Sequence, residues 1–312
     1  MDAMNCRGRR GRSPDSGAAI GMDDAVARGT PREPLRRRLL GASALLLAGG
    51  LVLPPRRAVA IEAGDPTPIW DRLRAALFKD RPIREDDGSL FRFDTPVRAE
   101  DAAVVPIGIE ARFAQSAARA VRRITLIVDN NPAPVVGTFE FGPASGLAGI
   151  ETRVRVEEYS HVRAIVELND GALVSATRFV KASGGCSAPA GKDREQALAN
   201  VGRIRLRVQQ PPKLGEPNTA QLMVGHPNDS GMAMDQVTRM YASPWFVRTV
   251  AVDYAGQAVL RADISFAVSE NPNFRFHFLP TGDGVLEARV EDTRDTVFNT
   301  RLTIRNAQVE AA

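Results

Sequence analysis

Short runs rich in β-branched residues, broken repeatedly by turn formers, are what most limits the folds open to this chain. The first series comprises Val104 to Glu110, Val121 to Asp129, Val135 to Phe141, Thr152 to Val156, Val162 to Leu168 and Ala172 to Val180. Turn residues separate the runs, as in Asp129-Asn130-Asn131-Pro132 and Asn169-Asp170-Gly171. Val, Ile and Thr suit a pleated backbone, whereas Gly, Pro, Asn and Asp interrupt it, so each run reads as a strand. Strands this short and closely spaced favour an antiparallel sandwich. Thr152-Arg153-Val154-Arg155-Val156 alternates with period two, which predicts one wet face carrying both arginines.

A second series follows: Gly202 to Val208, Thr219 to Val224, Trp245 to Tyr254, Gln257 to Ala262, Asn273 to Phe278, Val285 to Glu291 and Val297 to Ile304. Tyr254-Ala255-Gly256 and Thr281-Gly282-Asp283-Gly284 supply turns, and Phe274, Phe276 and Phe278 fall on one face of their strand. The two series do not align as repeats. Ahead of them, Asp65 and Pro66 suit an N-cap and first helical position. Ile69, Leu73, Ala76 and Leu77 then recur at helical spacing until Lys79-Asp80-Arg81-Pro82. The expected fold is all-β: two immunoglobulin-like sandwiches in tandem, with an N-terminal helix and a preceding export signal.

The export signal is read from Arg36-Arg37-Arg38, the apolar run Leu39 to Leu53 and the small-x-small site Ala58-Val59-Ala60. Consecutive arginines before a Gly- and Ala-rich core resemble a twin-arginine signal, which exports folded proteins. The expected location is periplasmic, the alternative being an uncleaved membrane anchor. Residues 1–21 carry no apolar periodicity, so Met22 is an alternative start. The expected division is 1–60 leader, 61–182 first sandwich, 183–200 arm and linker, and 201–312 second sandwich. Residues 1–60 hold 11 of the 41 Lys and Arg and 5 of the 37 Asp and Glu, which leaves 30 basic against 32 acidic side chains. The basic character belongs to the leader, and the remainder offers no support for binding nucleic acid or an anionic membrane.

Of the two cysteines, Cys6 lies in the leader, so the exported chain carries Cys186 alone and no internal disulfide. Cys186 sits in Lys181-Ala182-Ser183-Gly184-Gly185-Cys186-Ser187-Ala188-Pro189, a segment with no apolar cover of its own, between the two strand series. Gly184 and Gly185 permit positive φ and a flexible arm, and five extended residues reach about 17 Å at ~3.4 Å each. Such a thiol is read as reactive, against the alternative of a buried small hydrophobe. An unpaired exported cysteine also allows a disulfide homodimer.

Other candidates are weaker. His226 precedes Pro227 in a loop, but His161 and His277 sit on unrelated strands, so no metal-ligand spacing results and a structural role is expected. Met232, Met234 and Met240 suit core or loop packing, or alternatively a soft contact surface for a partner or a copper site. Asp86-Asp87 reads as a solvated charge run, and Tyr241 to Trp245 as core or interdomain packing. No Cys-x-x-Cys, nucleophile elbow, phosphate loop or haem-attachment motif is present, so no cofactor or metal is expected and the chain reads as a substrate for enzymes rather than an enzyme.

Ile127 to Phe141, Val166 to Leu173 and the ending Thr177-Arg178-Phe179-Val180-Lys181-Ala182-Ser183-Gly184-Gly185-Cys186 resemble SoxY, the sulfur-carrying subunit of the bacterial Sox system. Gly225-His226-Pro227, Ser230-Gly231, the strands from Phe246 to Phe266 and Ser269 to Phe278 resemble its partner SoxZ. Their order resembles a fused SoxYZ-like carrier of the type associated with quinoprotein dehydrogenases. The resemblance implies that Cys186 is the covalent attachment point for sulfur intermediates, presented to periplasmic redox enzymes of a Sox-type or quinoprotein dehydrogenase system. In SoxY the arm ends the chain. Here Ser187-Ala188-Pro189 and a second domain follow, so the arm enters a partner only as a loop. The alternative is a non-covalent accessory module in which the arm is merely a linker.

Overall fold

The computed structural model describes residues 67–188, 194–234 and 239–310. The expected leader and cleavage site, Cys6, and the Asp65-Pro66 pair expected to cap the first helix lie outside the described residues. The first helix, α1 (Pro68–Phe78), is capped by Thr67, whose hydroxyl accepts from the Trp70 amide at 3.0 Å. Its buried residues are Trp70 and Phe78, Ile69 and Leu73 are half-buried, and Ala76 and Leu77 are exposed. The expected face was rotated because Trp70 and Phe78 outweigh the smaller apolar residues in area removed from water.

The first series folds into β1 (Ile83–Glu85), β2 (Phe91–Asp94), β3 (Val105–Ala114), β4 (Val121–Val128), β5 (Val135–Phe141), β6 (Leu147–Val154), β7 (Ser160–Leu168) and β8 (Leu173–Val180). A short helix, α2 (Arg194–Ala199), leads to β9 (Ile204–Val208), β10 (Asn218–Val224), β11 (Val247–Tyr254), β12 (Gln257–Ile264), β13 (Asn273–Phe278), β14 (Gly284–Asp292), β15 (Val297–Arg305) and β16 (Gln308–Glu310). Each anticipated strand is present, with ends shifted by bulges and turns. Strands β1, β2 and β16 were not anticipated, since three or four residues are too few to show a period. Asp86 and Asp87 are not merely solvated: their carboxylates accept from the Leu90, Phe91 and Ser89 amides and shape the turn into β2.

The chain forms two tandem immunoglobulin-like domains, and these share their sheets. The ten-stranded sheet runs β1-β8-β7-β4-β5-β12-β11-β14-β15-β16, and the six-stranded sheet runs β2-β3-β6-β13-β10-β9. The seam consists of β5 against β12, with Gly137 opposite Ile264 and Phe141 opposite Leu260, and of β6 against β13, with Ile150 opposite Phe276. Pairing across the seam covers strand edges that each half alone would expose. The described residues belong to one compact unit, and one apolar cluster runs through it from Phe91 to Ile304. Phe139, Phe274, Phe276 and Phe278 are among its fully buried members. A smaller cluster of Trp70, Phe78, Ile127, Ile165 and Leu173 lies under α1. This second cover is why every residue of β7 is buried and why that strand does not alternate.

Candidate site at the glycine-rich arm

After β8 the chain turns back along the sandwich rather than leaving it. Gly184 has φ of +81°, and its amide donates to the Glu157 carbonyl at 2.7 Å. The Gly185 amide donates to the Val156 carbonyl at 3.0 Å. A Cβ at Gly185 would stand 2.1 Å from the Ala102 carbonyl oxygen, so only glycine lets the arm lie on this backbone. The glycines thus dock the arm, one through positive φ and the other through close approach.

The Glu157 side chain closes over the arm. Its Oε2 accepts from the Cys186 amide at 2.7 Å and the Ser187 amide at 3.0 Å, and its Oε1 accepts from the Ser187 hydroxyl at 2.7 Å. Glu157 is itself oriented by Asn131, whose Oδ1 accepts from the Glu157 amide at 2.9 Å while its Nδ2 donates to the Arg155 carbonyl at 2.8 Å. From the second half, the Ser230 hydroxyl donates to the Cys186 carbonyl at 2.6 Å. Cys186 is 1% exposed. The cysteine expected on an uncovered arm is enclosed, because Glu157 and Ser230, distant in sequence, hold the arm against the sandwich.

Burial pushes the Cys186 thiol up to about 12; the Glu157 carboxylate adds to the rise and the Arg155 guanidinium opposes it. In the docked position the sulfur is therefore a neutral thiol, not the thiolate that attacks or is transferred. Arg155 was expected on a wet face, but it is buried. Its Nη1 donates to the Phe266 and Val268 carbonyls at 2.7 Å each, which ties β6 to the second half. Burial lowers its pKa, with Cys186, Glu270 and Asp229 opposing. Arg155 and Glu157 were missed by sequence reasoning. Neither carries a local signal, since the partner of Glu157 lies 29 residues downstream. Ser230, by contrast, lies in a segment that carried the SoxZ resemblance.

The comparisons with known proteins fall on the same two halves. A family described as sulfur oxidation protein SoxY matches residues 74–186, ending on Cys186, and one described as sulphur oxidation protein SoxZ matches residues 204–303. The chain is a fused SoxYZ-like protein. Its SoxY and SoxZ domains point to a sulfur-oxidation carrier family. The sulfur carrier protein SoxY from Chlorobium limicola f thiosulfatophilum is 25% identical over 36% of this chain and 89% of its own, with a TM-score of 0.30. Superoxide reductase (Neelaredoxin) from Ignicoccus hospitalis is 15% identical over 32% of this chain and 95% of its own, with a TM-score of 0.29. No curated protein matches the chain.

The other candidates of this SoxYZ-like chain take structural places. His226 is fully buried; its Nδ1 accepts from the Asn228 amide at 3.0 Å, and its Nε2 stands 3.5 Å from Asp292. Its ring lies edge-on to Trp245 at 4.8 Å, and the indole of Trp245 donates to Asp292 at 2.8 Å. Burial lowers the His226 pKa against the pull of Asp292. This neutral imidazole braces the loop that carries Ser230. His161 and His277 do not approach it: His161 packs on Phe179, and His277 pairs with Glu110 at 3.0 Å. Met240 and Tyr241 are exposed at 70% and 65%, on the stretch between Ser230 and Trp245.

Proposed function

We propose that the protein is a periplasmic covalent carrier that holds a sulfur intermediate on Cys186 and presents it to redox enzymes of a Sox-type or quinoprotein dehydrogenase system. The observation that carries this reading is the coincidence of the SoxY match ending on Cys186 with the absence of any other cysteine after the leader. A thiolate adds sulfur by attacking an S–S bond, which forms a mixed disulfide and expels the other sulfur as the leaving group. Glycines at 184 and 185 allow the arm to leave its bed and enter a cleft as a loop tethered at both ends. Export is supported by the arginine-led apolar segment before Ala60.

Intact-mass spectrometry of protein from its native host, without reductant, is expected to find sulfur-containing mass on Cys186. The Cys186→Ser variant is expected to match a deletion in sulfur-dependent growth. A persistently bare thiol together with an unaffected C186S strain would defeat the carrier reading. Those results would favour a non-covalent accessory module for a periplasmic dehydrogenase, the reading that burial of Cys186 supports. A disulfide homodimer through Cys186 is a storage form at most, because it occupies the thiol that carries cargo.

A further inference from the structure

Of the four strands that end the two sheets, three are blunted by their length. β1, β2 and β16 hold three or four residues, a short template for another chain, whereas β9 holds five and ends the six-stranded sheet. One uninterrupted register joins β9 to β10. It is flanked by bonds from the Gly225 amide to the Arg203 carbonyl and from the Gln209 amide to the Thr219 carbonyl, at 2.9 Å each. Bonded residues alternate with unbonded ones in an antiparallel ladder. Arg203, Arg205, Arg207 and Gln209 therefore turn their backbone groups to β10, while the N–H and C=O groups of Ile204, Leu206 and Val208 point off the edge of the sheet. Among the described residues nothing bonds these outward groups.

Beside this edge the sandwich is open. A groove of about 560 Å³ lies between β9 and the strands β15 and β16, and its apolar lining includes the half-buried Leu206, Val208 and Val309. Its charged lining is Arg205, Arg207 and Arg301, all exposed, with no carboxylate among the lining residues. Glu287 of β14 stands opposite Arg301, whereas the β10 neighbours of Arg205 and Arg207 are the uncharged Met223 and Gln221. A strand laid along β9, about 4.8 Å from it, would roof the groove. Side chains beside Ile204, Leu206 and Val208 would then turn inward, and those beside Arg205 and Arg207 outward.

We propose that β9 receives an extended segment of a partner protein by strand addition, and that this segment alternates apolar residues with acidic ones. Charge decides between occupants. A second copy of this chain, paired through its own β9, would set arginine against arginine, and like charges directly opposite disfavour pairing. Asp or Glu at those positions pairs with Arg205 and Arg207 instead, while alternate Val, Ile or Leu side chains fill the groove. Backbone bonds to Ile204, Leu206 and Val208 supply the affinity common to strand addition. The site uses neither Cys186 nor Glu157, so it stands whether or not that thiol carries cargo.

A fluorescein-labelled heptapeptide alternating valine and glutamate serves as the probe, added to the purified chain in low-salt buffer. Fluorescence anisotropy is expected to show binding, and hydrogen exchange of the Ile204, Leu206 and Val208 amides is expected to slow. The same peptide with lysine in place of glutamate is expected to bind at least about tenfold more weakly. The double variant Arg205→Glu, Arg207→Glu changes exposed side chains only, and it is expected to reverse the preference between the two peptides. Leu206→Pro removes an outward N–H and no bond to β10, a placement that edge strands tolerate; it is expected to abolish binding with the far-ultraviolet circular dichroism unchanged.

No binding of the glutamate peptide, or equal binding of both peptides, would overturn the proposal. Binding that leaves the three amides unprotected would place the peptide elsewhere and overturn it too. A dimer that forms with rising concentration and protects the same amides would assign the edge to a second copy.

Discussion

Cys186 is a residue whose chemistry depends on its surroundings more than on its type. An exposed thiol titrates near pH 8.5, whereas docking pushes Cys186 up to about 12. Because the folded value lies above the unfolded one, the stabilisation from burying the neutral thiol is complete below about pH 8.5 and is lost as pH climbs toward 12. Alkylation of Cys186 is therefore expected to keep accelerating above about pH 9–10, where an exposed thiol, titrating near 8.5, has levelled off. A plateau near pH 8.5 would mean that the arm does not bury its sulfur. The cysteine, its solitude and the special status of Gly184 and Gly185 were all legible. That Gly185 also serves close approach was not, because Ala102 lies more than eighty residues earlier.

Among the elements, α1 shows how a helix end is read well and its bed poorly. Helical spacing and the stop at Lys79 were visible in the sequence. The docking partners came from β4 and β7: Asp129 and Arg163 pair at 2.8 Å with side chains 1% and 4% exposed, and the Arg163 guanidinium lies 4.6 Å over the Trp70 ring. The Thr67 hydroxyl adds a bond to Asp129 at 3.2 Å, which joins the helix cap to the buried pair. Removing one member of such a pair leaves the other charge buried and uncompensated. Arg163→Ala should thus cost about 3–5 kcal/mol, measured by denaturant unfolding. A loss under ~1 kcal/mol, the range of exposed ion pairs, would show that water reaches Asp129. The alternation of residues 152–156 holds at exposed Arg153 and fails at Arg155 for a related reason. Arg155 pairs with carbonyls of the other half, and this converts an expected wet position into a buried one.

For the whole molecule, the shared sheets decide what the fusion achieves. The link between the halves is one connection, whereas the seam is two strand pairs over a continuous core. At Gly142 the backbones approach so closely that a Cβ would stand 2.0 Å from the Ala258 carbonyl oxygen. Cleaving the chain between Ala188 and Arg194 is therefore expected to leave both fragments co-migrating in gel filtration, separating only in denaturant. Fragments that part in native buffer would show that the tether, not the seam, holds the halves together. The seam thus keeps Ser230 within reach of Cys186.

Local sequence by itself determined the strands, the helix and the division into two series, and it singled out Cys186 as the candidate thiol, because period, turn chemistry and cysteine count act over a few residues. Tertiary structure alone decided that the two sandwiches share sheets, that Arg155 bonds the second half, that Glu157 and Ser230 converge on the arm, and that Cys186 is buried. Those outcomes depend on contacts between residues tens to more than a hundred positions apart. Burial and charge at such contacts are set by what arrives from elsewhere in the chain.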